Sequence, residues 1–380
     1  MDFIFSEEQA RLKERVRELA RKEIQPLARK YGETDDVPQE IVDVMAKGGL
    51  FQLLFPVEYG GKGISAVNIC IAREELAQVS AIADVTFAMQ SLGGYPIVIA
   101  GTEEQKTTYI PRLARGEILT TFALTEPKAG SDVANLHTTA MPEDDSYVIN
   151  GVKRFISNCY RADIGTLFAK TDPDQGNKGI SAFIYHRKAR GLEIVKRYRL
   201  IAPHDLAEMR FENVRIPRDR LLGEENQGFT IAMKTLDLMR MSVGACSLGI
   251  ARAAFESALR FASKREQFGR PITRFQAIQL KLAEMATRIE AAAMLVYRAA
   301  LLKDSGAESV TREASMAKYF ATDMAGSVAD EAVQIYGGLG VTDDADVERL
   351  YREARAPRIY QGTNEIQKLI IANQILKQIQ

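Results

Sequence analysis

The sequence predicts a mainly α protein with a central β domain: an N-terminal helical domain over 1–118, a middle β-barrel over 119–227 and a C-terminal four-helix bundle over 228–380. Two observations carry this expectation. First, the chain has 380 residues, and a single hydrophobic core usually stops growing near ~250–300 residues, so two or three domains are expected. Second, apolar residues recur at helical spacing up to about Ala114 and again from about Phe229. Between these regions short β-prone runs separated by turn signals take over.

The N-terminal region opens on Ser6-Glu7-Glu8-Gln9, a capping-box start in which Ser6 caps and Gln9 lies three residues on. Leu12, Val16, Leu19 and Ala20 continue at helical spacing. Pro26, Pro38, Pro56 and Pro96 punctuate the region, and 55–63 reads as a glycine-rich connector.

In the middle region strands are expected at 119–124, 146–149, 165–170, 180–185, 192–198 and 208–211, with turns at Asn150-Gly151 and at 174–177. Regular spacing of short strands points to a small barrel or sandwich. The C-terminal region is rich in Ala, Leu, Met, Arg and Glu. It divides into amphipathic stretches near 228–264, 274–304 and 310–336 and a last helix from about Asn364, the pattern of an up-down bundle.

Composition excludes several function classes. Lys plus Arg and Asp plus Glu both number 50, for a formal net charge of zero. That argues against binding to nucleic acid or to a membrane surface as the main role. Cys70, Cys159 and Cys246 are odd in number and far apart, as in a reducing compartment, and they form no metal spacing with His137, His186 and His204. The N-terminus lacks a basic segment followed by an apolar run, and no apolar run approaches the ~20 residues of a membrane span. A cytoplasmic location is expected.

Four segments carry a resemblance. Residues 122–132, FALTEPKAGSD, resemble the first signature of the acyl-CoA dehydrogenase family. Arg265-Glu266-Gln267-Phe268-Gly269, Gln334-Ile335-Tyr336-Gly337-Gly338-Leu339-Gly340 and 358–367, RIYQGTNEIQ, resemble three others, in the family's order and over essentially the whole chain. Each segment alone reads as a turn, a helix end or a surface residue; their joint order carries the functional reading.

The resemblance implies FAD as cofactor, an acyl-CoA thioester as substrate, electron-transfer flavoprotein as electron partner and a homotetramer. It places Phe122, Leu124, Thr125, Gly130, Ser131, Phe155, Ile156 and Ser157 against the flavin. It takes Arg265, Gln267 and Phe268 to the pyrophosphate and adenine of a neighbouring subunit's FAD, met also by Gln334, Gly337 and Gly338, with Thr363 and Glu365 nearby. Ser131, Asp237, Arg240 and Gly362 are implied for the thioester, whose carbonyl would be polarised by the backbone N–H of Gln361 and by the cofactor. These residue types suit the ligand: hydroxyls and backbone groups for the ring edge, glycine for close approach, an arginine fork for phosphate.

The chain departs from the family at the catalytic base. Most members carry Glu directly after the Tyr of the last motif, where this chain has Gln361; a second group carries it before the arginine of the first bundle helix, where this chain has Met239. An amide is not basic at neutral pH. Three explanations stay open. Asp84, at the start of a segment resembling the helix that lines the acyl pocket, can act as the base, as in members that act on alicyclic thioesters; burial among apolar residues would raise its pKa. Its alternative reading is a helix N-cap. The amide can instead hold a thioester without turnover. Or the scaffold can run another reaction, such as enoyl reduction, decarboxylation or desulfination. A second departure is 200–208, LIAPHDLAE, which lacks the usual Gly and Thr and contains His204. That histidine is either structural or the one nearby side chain whose ordinary pKa lies near 7.

Overall fold

The computed structural model describes residues 5–378. The chain forms two compact units, each discontinuous in sequence. One comprises the chain through Gln25, Ala66–Ala81 and Arg240 onward; the other comprises Pro26–Ser65 and Ile82–Met239.

In the first unit, α1 (Glu7–Leu19) starts at the expected capping box: the Ser6 hydroxyl accepts from Gln9 N–H and the Gln9 side chain accepts from Ser6 N–H. A π-helical turn at Ala20–Ile24 carries the chain out of α1 and into α2 (Gln25–Tyr31). The C-terminal region supplies α7 (Gly228–Lys264), α8 (Gln276–Asp304), α9 (Thr311–Tyr336), α10 (Asp346–Glu353) and α11 (Asn364–Leu376). The sequence reading located α7, α8, α9 and α11 and missed α10. Helix α9 packs against α8, α10 and α11, while α4 (Ala66–Val79) packs against α1 and α8.

Glycine sets the approach of α7 to α4. A Cβ on Gly249 would lie 2.2 Å from the Glu74 carbonyl oxygen. Backbone cannot yield as a flexible side chain can, so Gly249→Ala is expected to destabilise the protein by about 1–3 kcal/mol, read as a fall in thermal midpoint.

In the second unit, α3 (Gln39–Lys47), α5 (Ala81–Ala100) and α6 (Glu103–Ala114) accompany one sheet. Its strands are β1 (Thr120–Ala123), β2 (Thr139–Glu143), β3 (Ser146–Ser157), β4 (Ile164–Lys170), β5 (Ile180–His186), β6 (Leu192–Arg197), β7 (Leu206–Pro217) and β8 (Leu221–Leu222). Their order is β6-β7-β3-β2-β4-β5-β8, with β1 parallel to β4. This is an open path, and among the described residues no pairing of β6 with β8 closes it into the expected barrel.

Two local expectations are corrected. Asn150-Gly151 is not a turn but lies inside β3, where a register shift against β7 absorbs it. Gly is needed there because a Cβ would lie 2.4 Å from Thr138 Oγ1. Pro96 does not end a helix but lies within α5. That helix is long and apolar enough by composition to cross a membrane, contrary to the sequence reading. Most of it is buried inside the protein, as in the core helix of a globular unit.

Helix α5 is fixed to the sheet by polar contacts that pair both ends of the buried Gln90 amide. Gln90 Nε2 donates to the Leu113 and Ile118 carbonyls, both at 2.9 Å, and Gln90 Oε1 accepts from Thr120 N–H at 3.2 Å. The Gly93 carbonyl accepts from Thr166 Oγ1 at 2.8 Å. These bonds hold the middle of α5, and Asp84 stands in its first turn.

Candidate functional site

In the second unit, the turn after β1 is tied to the end of β3 by a buried ion pair. Lys153 Nζ donates to Glu126 Oε1 at 2.8 Å and to the Leu124 carbonyl at 3.0 Å. Glu126 also accepts from the backbone N–H groups of His137 and Thr138, at 2.5 and 2.9 Å, and Arg154 N–H donates to the Thr125 carbonyl at 2.8 Å. Burial alone would raise the Glu126 pKa, but the Lys153 charge and these donors outweigh it and hold the carboxyl below its ordinary value. Leu124 and Thr125 are thereby placed beside the 153–157 strand end. Phe122, on β1, packs on Phe168 with ring centroids 4.8 Å apart. Gly130 and Ser131 lie on the exposed side of the turn.

Backbone strain marks three of the sequence-predicted positions. Phe155, Phe268 and Gln361 have φ of 58°, 52° and 52°, in the left-handed region. The other non-glycine residues there, among those described, are Asp144, Asn158, Asn213 and Asn226. Asn and Asp enter this region at little cost, whereas bulkier residues in it are uncommon. Each such residue costs about 1–3 kcal/mol, and strain of this kind concentrates at functional sites. At Phe155 the cause is local. The register of β3 on β7 shifts between Lys153 and Ile156, and the ring is left 53% exposed beside Tyr198. Ile156 turns inward and is buried.

Asp84 is only 1% exposed and stands inside the first turn of α5. The helix begins at Ala81, so the N-cap alternative is excluded by position. In the same unit, His204 Nε2 lies 2.7 Å from Ser157 Oγ. The sequence reading named both residues but had no signal that they meet. Burial pushes the His204 pKa down to about 4, against the opposing pull of Asp35 and Asp84, so the imidazole is neutral at pH 7.

In the first unit, the Gln361-Gly362 turn is built by groups that sequence reasoning missed. Lys318 Nζ donates to the Gly362 carbonyl at 2.8 Å and to Asn364 Oδ1 at 2.9 Å. Gln367 Nε2 donates to the Gln361 and Gly362 carbonyls at 3.3 and 3.1 Å. Burial, with the Arg240 charge, lowers the Lys318 pKa to about 7, against Glu365. Gln361 Oε1 is buried with no hydrogen-bond partner in the protein. A buried acceptor left in that state costs roughly 1–3 kcal/mol, so it is poised for a ligand donor.

The remaining candidates fall as follows. Arg265, Gln267 and Phe268 are exposed on the hairpin of β9 (Glu266–Gln267) and β10 (Arg270–Pro271), with Phe268 93% exposed. Gln334, Gly337 and Gly338 are exposed at the end of α9, where Gly337 has φ 62°. Thr363 caps α11, accepting from Ile366 N–H, and Glu365 lies in its first turn. Arg240 is buried, Asp237 is half-buried, and Met239 is fully buried.

Models of the acyl-CoA dehydrogenase N-terminal, middle and C-terminal domains match residues 6–117, 121–214 and 226–376. An acyl-CoA dehydrogenase of Bacillus subtilis is 46% identical over 98% of both chains. A subunit of the caffeyl-CoA reductase–Etf complex of Acetobacterium woodii is 40% identical over 98% of this chain and 99% of that one. Among solved structures, butyryl-CoA dehydrogenase of Megasphaera elsdenii superposes with a TM-score of 0.95 at 37% identity, covering 99% of this chain and 100% of that one.

Proposed function

The chain belongs to the acyl-CoA dehydrogenase family and is an oxidoreductase acting on CH–CH groups, and from that premise we propose that it dehydrogenates an acyl-CoA thioester with FAD and with Asp84 in place of the usual glutamate. The observation that carries this reading is the chemistry of three positions, the two usual base sites and Asp84. Gln361 and Met239 cannot accept a proton, while Asp84 is a buried carboxylate held on a helix that is hydrogen-bonded to the sheet.

FAD fits the residues present. A Cβ on Gly130 or Gly338 would meet nothing within 4 Å, so protein packing does not require glycine there and the backbone is open to a ligand. The exposed aromatic ring of Phe155 suits a flavin, and the exposed Phe268 and Arg265 suit the adenine and diphosphate of a neighbouring subunit's FAD. When bound, FAD supplies the acceptor for a hydride.

The chain's own residues then have separate tasks. The Asp84 carboxylate takes the proton from one substrate carbon as the hydride leaves its neighbour, and a carbon–carbon double bond results. The backbone N–H of Gln361 polarises the thioester carbonyl. Lys318 and Gln367 hold the 361–362 turn in its strained form. Electron-transfer flavoprotein is the proposed electron partner, supported by the relative from an Etf complex. The same relative, by its name a reductase, favours a second reading in which the chain reduces an enoyl-CoA.

The Gln361→Glu variant tests the proposal. With Asp84 as base, the substitution changes the rate of flavin reduction by less than about tenfold. A gain of ~10²–10⁴-fold would mean that only the usual base is missing and would contradict the role of Asp84.

A further inference from the structure

We propose that His204 is a positioning residue for the flavin, acting through the hydroxyl of Ser157. This rests on the flavoprotein reading above and on the family resemblance, which places Ser157 against the flavin. The geometry is fixed from three sides. Ser157 pairs with Leu206 at the end of the β3–β7 ladder, which brings the segment before β7 alongside it. Asp205 is pinned there: its carbonyl accepts from Asn158 N–H at 3.0 Å and its carboxylate from Tyr160 N–H at 3.1 Å. His204 N–H donates to Asp35 Oδ1 at 3.2 Å. The backbone that carries the imidazole is thereby held beside the end of β3, and His204 Nε2 meets Ser157 Oγ at 2.7 Å.

A serine hydroxyl has one donor and two acceptor sites and rotates freely unless a partner fixes it. A neutral imidazole nitrogen at hydrogen-bond distance occupies one of those sites whichever tautomer is present. In one tautomer His204 donates, and the Ser157 O–H is left to donate elsewhere. In the other His204 accepts, and Ser157 offers only lone pairs. Either way the rotor is set, and Ser157 presents a defined polarity instead of an average. A hydrogen bond of fixed polarity at a flavin edge favours one oxidation state over the other, because the ring's donors and acceptors change on reduction. The departure at 200–208 thus has a consequence at the ring, exerted through Ser157.

The test compares the parent, His204→Ala, His204→Gln and Ser157→Ala, each loaded with FAD, by visible spectrum and by the reduction potential of the bound flavin. His204→Ala is expected to bind FAD and to shift the oxidised-to-reduced ratio at fixed potential at least tenfold, about 30 mV for a two-electron couple. His204→Gln, which can again bond the hydroxyl, recovers at least half of that shift. In the Ser157→Ala background the His204→Ala change has no further effect, since neighbours acting through one contact are non-additive. Should the alanine variant not fold, the His204→Gln spectrum and the NMR response of the His204 ring to Ser157→Ala carry the same comparison. A parent that binds FAD and a His204→Ala variant with unchanged spectrum and potential would overturn the role of His204 alone. A parent that takes up no FAD would overturn the flavoprotein reading on which it rests.

Discussion

With asparagine at position 84, reduction of the bound flavin by the preferred acyl-CoA is expected to slow by ~10²–10⁴-fold, the range a general base contributes. The substitution keeps size and shape, so the packing around a residue only 1% exposed is preserved. What is lost is the proton acceptor. Helix α5 remains fixed by Gln90 and by the Thr166 bond to Gly93, neither of which involves residue 84. FAD content is expected to stay close to that of the parent, while stopped-flow flavin bleaching slows. A variant that bleaches at the parent rate would remove Asp84 from the reaction.

The second large effect is on stability. Lys153→Met leaves the Glu126 carboxylate buried opposite an apolar side chain, and breaking a buried pair in this way destabilises by about 3–5 kcal/mol. Lys153 is fully buried and Glu126 nearly so, and both are held by backbone partners as well as by each other. The pair also carries the turn that presents Leu124 and Thr125, so FAD occupancy is expected to fall with the thermal midpoint. Adding Glu126→Gln to Lys153→Met removes the stranded charge and should recover part of the loss. Lys153→Met with an unchanged midpoint would show that the pair contributes nothing.

Local rules made much of the fold legible. The Ser6–Gln9 box started α1 as read, and the long amphipathic stretches of the C-terminal region became α7, α8, α9 and α11. The failures arise where long-range pairing overrode a local signal. Asn150-Gly151 is a strong hairpin signal, yet β7 pairs across it and Gly151 serves the close approach of Thr138. Strand β2 contains Pro142 and ends at Glu143, a composition that does not read as a strand, and its partner β3 supplies what the segment lacks.

The family motifs supplied the candidate residues, but the groups that hold them were invisible in the sequence. Ser157 and His204 are 47 positions apart, and Lys318 and Gly362 are 44 apart. No residue-type signal marks a phenylalanine or a glutamine for the left-handed region, so the strain at Phe155, Phe268 and Gln361 became visible only in the backbone.

The most direct measurement is anaerobic mixing of the FAD-loaded protein, unsubstituted, with straight-chain, branched and alicyclic saturated acyl-CoAs, following the visible flavin band. A dehydrogenase with a displaced base bleaches rapidly with one of these classes, and that class names the substrate. A flavin that stays oxidised with every saturated thioester, but is reoxidised by an enoyl-CoA after chemical reduction, would contradict dehydrogenation and leave the reductase reading in its place.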